Sequence, residues 1–195
     1  MKKLLFLLVF IPLVSFGQTK DEIELCAAIQ INSFTTDKEA EKALDRILSI
    51  IGASSKNFVL APCDKIDNAV ATSYKGTRYI FYDKDFMKLI NQNTNDWSNL
   101  LILAHEVGHH ILGHSIDILL YSSDIVDEPT LQKSREMELE ADEFAGFILA
   151  KLGANYNQIS ETIKLIAPNK KDIYSTHPSK SERLEALRIG FNKAR

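Results

Sequence analysis

The sequence predicts an α+β fold, mostly helical with one small sheet, and three observations carry that prediction. Apolar residues recur at helical spacing over most of the chain, and three short segments between Asn57 and Tyr82 read as strands. No repeat, low-complexity linker or internal boundary divides the 195 residues. That length suits one domain with a full core and leaves little room for a second. The formal charge of −3 is near balance and the lysines are scattered, so the footprint of a nucleic-acid-binding protein is missing.

Residues 1–17 read as a cleaved secretory signal. Lys2 and Lys3 precede an apolar run from Leu4 to Phe16, too short to span a bilayer comfortably, and small Ser15 and Gly17 flank a cut before Gln18. Losing the two lysines would take the charge to −5. No cysteine stands at the cut, which argues against a lipid anchor. The mature chain, 18–195, is expected to be exported, periplasmic or secreted, with no transmembrane segment. In that oxidising setting Cys26 and Cys63 read as one disulfide, tying the N-terminal segment to the first strand. The alternative is a pair of buried thiols.

The elements follow in order. Glu22 to Ile31 reads as a short helix. A second follows Thr35, Thr36 and Asp37, with Ala40, Ala43, Leu44, Ile47, Leu48 and Ile51 on one face and Gly52 at its end. Asn57 to Cys63 reads as a strand. Asn68 to Tyr74 and Arg78 to Tyr82 read as two more, joined across Lys75-Gly76 as a hairpin. Asp83 or Asp85 can cap a short helix through Ile90. Ser115 to Glu128 has no clean period and reads as an irregular extension or a lip over a cleft. Pro129 opens a long helix to about Leu152, ended by Gly153. Helices near Asn157 to Ile166 and Ser179 to Ala194 close the chain.

The stretch with the most chemistry is Leu100 to His114, LLILAHEVGHHILGH. Apolar residues cover most of its circumference, as expected of a buried helix. Thr94, Asn95 and Asp96 offer capping groups before it and Gly113 can end it. His105 and His109, four residues apart, lie one turn above each other and present two imidazoles to one point. That is the geometry of two zinc ligands. Glu106 sits about 100° further round, placed to take a proton from an attacking water without binding the metal. Unpaired buried polar groups are costly, so two histidines and an acid on a buried helix call for a partner. His110 and His114 are read as non-ligands.

A catalytic zinc takes three protein ligands and keeps one position open. Candidates for the third lie in SREMELEADEFAG on the long helix. Glu138 and Asp142 are four apart on a face that continues to Ala145 and Gly146, small enough for close helix contact. Glu136, Glu140 and Glu143 point elsewhere, as a solvated acidic face. Geometry favours Glu138 without settling it.

The motifs HEVGH at His105 to His109, ELEAD at Glu138 to Asp142 and THPSKSER at Thr176 to Arg183 resemble, in order and spacing, the zinc peptidases of the M48 family. The resemblance spans about Val59 to Leu187 and is nearest to the soluble exported bacterial members, since the chain lacks the membrane-spanning helices of several relatives. It implies a zincin-like (gluzincin) single domain with the sheet beside the HExxH helix. It also implies Glu138 as third ligand of one Zn2+ per chain, and Asp142 and Arg183 as a buried pair behind the site. NAVA at Asn68 to Ala71 resembles the segment before the family's substrate-binding edge strand.

The expected activity is therefore zinc-dependent endopeptidase cleavage with Glu106 as general base, acting on polypeptides, misfolded envelope proteins among them. The strand at Arg78 to Tyr82 is the expected edge for pairing with an extended substrate. Its alternative is an ordinary sheet edge. His177, before Pro178 in an extended turn, reads by itself as solvated loop surface; the resemblance at THP implies a loop folded back over the metal, with His177 either donating to the developing oxyanion or latching the open position at rest. The rival class is a zinc-stabilised chaperone-like or binding module with little turnover.

Overall fold

The computed structural model of the protein describes residues 38–74, 76–115, 128–170 and 174–195. The leader, the Glu22 to Ile31 helix and most of the Ser115 to Glu128 stretch lie outside the described residues. Among the described residues there are six α-helices and one three-stranded sheet. None of these helices is long and apolar enough to cross a membrane.

Helix α1 (Lys38–Ile50) buries Leu44, Ile47 and Leu48 and ends at Gly52, whose φ of +68° suits a residue without a Cβ. A single 3-10 turn, Ser55–Asn57, leads into strand β1 (Phe58–Pro62). Strands β2 (Ala69–Tyr74) and β3 (Thr77–Tyr82) form the expected hairpin, with Tyr74 opposite Thr77 and Gly76 at φ +79° in the turn. Asp83 caps helix α2 (Lys84–Asn93), its carboxylate accepting from the Asp85 and Phe86 amides.

The sheet order is β1-β3-β2, with β1 parallel and β2 antiparallel to β3. This corrects one expectation. Arg78 to Tyr82 lies on the central strand, with both of its sides used for pairing, so it offers no edge to a substrate. Among the described residues β1 and β2 are the outer strands, and β2 is the one beside the helices. The physical reason is non-local: β1 comes back beside β3 across the intervening hairpin strand, a pairing that no local pattern encodes.

Helix α3 (Ser98–Ile111) carries HEVGH and buries nearly its whole length, Leu100 through Gly108. Its cap differs from expectation. Trp97 occupies the cap position with no side-chain bond, while Asn95 works two residues earlier, accepting from the Trp97 amide through its side chain and from the Ser98 amide through its carbonyl. Helices α4 (Glu128–Lys151), α5 (Tyr156–Ile166) and α6 (Lys180–Lys193) complete the layer. Ser179 opens α6 with a capping box to Glu182.

The main core joins Leu44, Ile47 and Leu48 of α1, the inner face of the sheet through Leu60 and Ile80, and the apolar faces of α3 to α6. Ala61, Cys63, Ile66 and Phe81 form a second cluster on the outer sheet face. Cys63 is disulfide-bonded, and Cys26 is the only other cysteine in the chain. Helices α4 and α6 come into backbone contact. A Cβ at Gly190 would overlap the Glu143 carbonyl, and one at Gly146 the Leu187 carbonyl. That approach seats Arg183 against Asp142.

Candidate metal centre

Helix α3 brings His105 and His109 together one turn apart, with their Nε2 atoms 3.1 Å from each other. Helix α4 crosses close by because Gly108 leaves room: a Cβ there would press on the Phe144 ring at 3.1 Å and the Ala141 backbone at 3.3 Å. Through this contact α4 delivers Glu138, whose Oε2 lies 3.4 Å from His105 Nε2 and whose Oε1 lies 3.4 Å from His109 Nε2. These are the three residues among those described whose donor atoms converge closely enough to hold a metal ion. A tetrahedral ion with bonds of about 2.0–2.1 Å separates its ligands by roughly 3.3 Å, so the spacing fits zinc.

The outer nitrogens also fit. His105 Nδ1 donates to Asp142 Oδ1 at 2.9 Å, which leaves its Nε2 lone pair facing the centre. Arg183 holds Asp142 as a carboxylate through two parallel bonds, Nε to Oδ2 at 2.7 Å and Nη2 to Oδ1 at 2.8 Å. Burial would raise Asp142, and the Arg183 guanidinium beside it brings it below its usual value. Burial would likewise raise Glu138, but the hydrogen bonds from His105 and His109 hold it well below the carboxylate range. Burial alone would lower His105. Asp142 and Glu138 outweigh it and push the imidazole up to about 10 in the metal-free site, so a metal there displaces a proton.

Glu106 is buried beside the three donors and is not one of them. Burial raises its pKa, partly countered by His105 and His109, and the Ala71 backbone of β2 bonds to it. The carboxylate thus lies next to His105 and His109 on one side and the β2 backbone at Ala71 on the other. His177 reaches the rim of the site. Its Nε2 is 3.8 Å from Glu138 Oε2, its amide donates to Ser175 Oγ, and its side chain is about one-third exposed, at 35%.

The structure therefore brings together all seven residues singled out for the site: His105, Glu106, His109, Glu138, Asp142, His177 and Arg183. It also shows roles that the sequence reading missed. Buried Arg135 donates from Nε to the Ser175 carbonyl at 3.0 Å and so ties the His177 loop to α4. His110 donates from Nε2 to the Tyr79 carbonyl at 2.9 Å, and its Nδ1 accepts from Ser115 Oγ at 2.7 Å. Burial lowers His110 to about 4, so it serves as a neutral strut between α3 and the sheet. Its position one residue after His109, on the opposite side of the ligand face, was the available signal. His114 is not among the converging donors, but it touches His109, and Glu140 touches it in turn.

Two imidazoles and a carboxylate converging this closely could hold one metal ion, and they are the donor types of a hydrolytic metal centre. The profile of peptidase family M48 matches residues 116–189. That span holds Glu138, Asp142, His177 and Arg183 and stops short of HEVGH, so the match and the HExxH geometry are separate observations. The match supports membership of the M48 family and, with it, a metallopeptidase. No curated protein and no solved structure matches the chain.

Proposed function

We propose that the protein is an exported zinc endopeptidase of the cell envelope with a zincin-like domain, acting in protein quality control. The observation that carries the reading is the convergence of His105, His109 and Glu138 beside a buried Glu106 that binds nothing in the triad. When bound, zinc supplies a Lewis acid that lowers the pKa of a water and polarises a carbonyl.

The chain's own residues supply the rest. Glu106 takes the proton of the attacking water and delivers it to the leaving amine. The outer edge of β2, unpaired among the described residues and with Ala71 beside Glu106, pairs with an extended substrate and sets its peptide bond against the site. Asp142, clamped by Arg183, keeps His105 in the tautomer that points its lone pair inward. Export rests on the leader-like residues 1–17. Quality control rests on the soluble exported relatives that the motifs resemble.

His177 serves as a resting-state latch in this reading, its imidazole close enough to Glu138 to approach the open position. His177→Ala should then cleave a short peptide faster than the unaltered protein at equal zinc occupancy. A slower rate assigns His177 to oxyanion stabilisation instead, and equal rates leave it as loop surface.

Casein cleavage tests the main reading. The purified protein should degrade it, lose that activity to a chelator and regain it with zinc. Binding of casein without cleavage would favour the rival, a zinc-stabilised chaperone-like module.

A further inference from the structure

The two histidines of the centre are supported differently at their outer nitrogens. His105 donates to Asp142, a carboxylate locked by Arg183. Among the described residues, the Nδ1 of His109 meets no carboxylate, and Glu138 approaches only its Nε2. That Nδ1 faces Nδ1 of His114 at 3.3 Å, the two rings meeting edge to face with centroids 5.3 Å apart. His114 Nε2 in turn lies 2.8 Å from Glu140 Oε2.

Local backbone geometry places His114 there. Gly113 takes φ +77° just past the end of α3, and the His114 amide donates back to the His109 carbonyl at 2.8 Å. That is the six-to-one bond of a Schellman turn. It folds His114 under His109 rather than letting it continue along the helix axis, and its side chain is left only 7% exposed. Glu140 comes from α4, two residues beyond Glu138. One helix thus supplies both a converging donor and the end of this outer chain.

The proton positions follow from the metal reading, on which this inference rests. A His109 that gives its Nε2 lone pair to a metal carries its proton on Nδ1. That proton is donated to His114 Nδ1, which fixes the His114 proton on Nε2, where Glu140 accepts it. Every nitrogen in the row then has one role, and no alternative tautomer satisfies all of them.

We infer that His114 and Glu140 are positioning residues for the metal centre, holding the ring of His109 in the orientation and tautomer that aim its Nε2 at the ion. They do for His109 what Asp142 and Arg183 do for His105. The His109 arm is the weaker of the two, because its carboxylate is 55% exposed and acts through a neutral ring.

The test uses the full chain and reads metal, not turnover. Zinc affinity is measured by competition with a chromogenic chelator, the visible spectrum is recorded with cobalt(II) in place of zinc, and the metal-free melting temperature is followed. His114→Ala should lower zinc affinity roughly 10–100-fold and shift the cobalt bands, with metal-free melting unchanged. His114→Asn should restore most of both, since its amide oxygen can accept from His109 where Nδ1 did. Glu140→Ala alters an exposed side chain, so it keeps the test open if His114→Ala folds poorly. It should weaken zinc by a smaller factor. Equal affinity and identical cobalt spectra in the unaltered, His114→Ala and Glu140→Ala proteins would overturn the assignment alone. Failure of the unaltered chain to take up either ion would overturn the metal reading as well.

Discussion

Glu106→Gln should leave a folded, zinc-loaded protein that cleaves casein at least about 100-fold more slowly, the usual worth of a positioned general base. Glutamine matches glutamate in shape, so the buried slot next to Ala71 stays filled and the triad is untouched. What it lacks is a basic oxygen. Burial already holds the Glu106 carboxyl above its ordinary pKa, which suits a group that must accept a proton and hand it on. Glu138→Ala removes a converging donor, so zinc retention should fall along with activity. Measuring metal content beside rate separates the two variants, and normal cleavage by Glu106→Gln would exclude Glu106 as the base.

Arg183→Ala is expected to cost roughly 3–5 kcal/mol of stability, the range for removing one partner of a buried ion pair. Asp142 is almost wholly buried at 1% exposure, and Arg183 is its bidentate counter-ion. Without the guanidinium, the carboxylate is left with a single histidine neighbour in a desolvated place. Two consequences follow together: a lower melting temperature and a His105 ring less firmly oriented for metal. Arg183→Lys should recover only part of the loss, because an ammonium cannot make both parallel bonds. An Arg183→Ala protein with unchanged melting temperature and zinc content would contradict this account of the pair.

What could be read from the sequence was local. The 105/109 spacing, the apolar girdle of α3 and the two strands around Gly76 depend on neighbours within a few residues, and each stands where the pattern put it. Glu138 and Asp142 show where such reading stops. Both lie on one face of α4, and helical spacing alone does not settle which of them faces the histidine Nε2 atoms. The crossing at Gly108 separates them, setting Glu138 against the Nε2 atoms of both histidines and Asp142 against Nδ1 of His105. The edge strand went astray for a similar reason, since β1 joins β3 from about twenty residues away in sequence. His114 was passed over because one more histidine after a helix end resembles solvated surface until the turn at Gly113 is seen to fold it back.

The central claim is a zinc centre built from His105, His109 and Glu138, and metal content tests it most directly. Elemental analysis of the purified protein should find about one zinc per chain, falling sharply in Glu138→Ala while Glu106→Gln keeps it. Native protein without zinc, together with no uptake when zinc is titrated in, would contradict the claim.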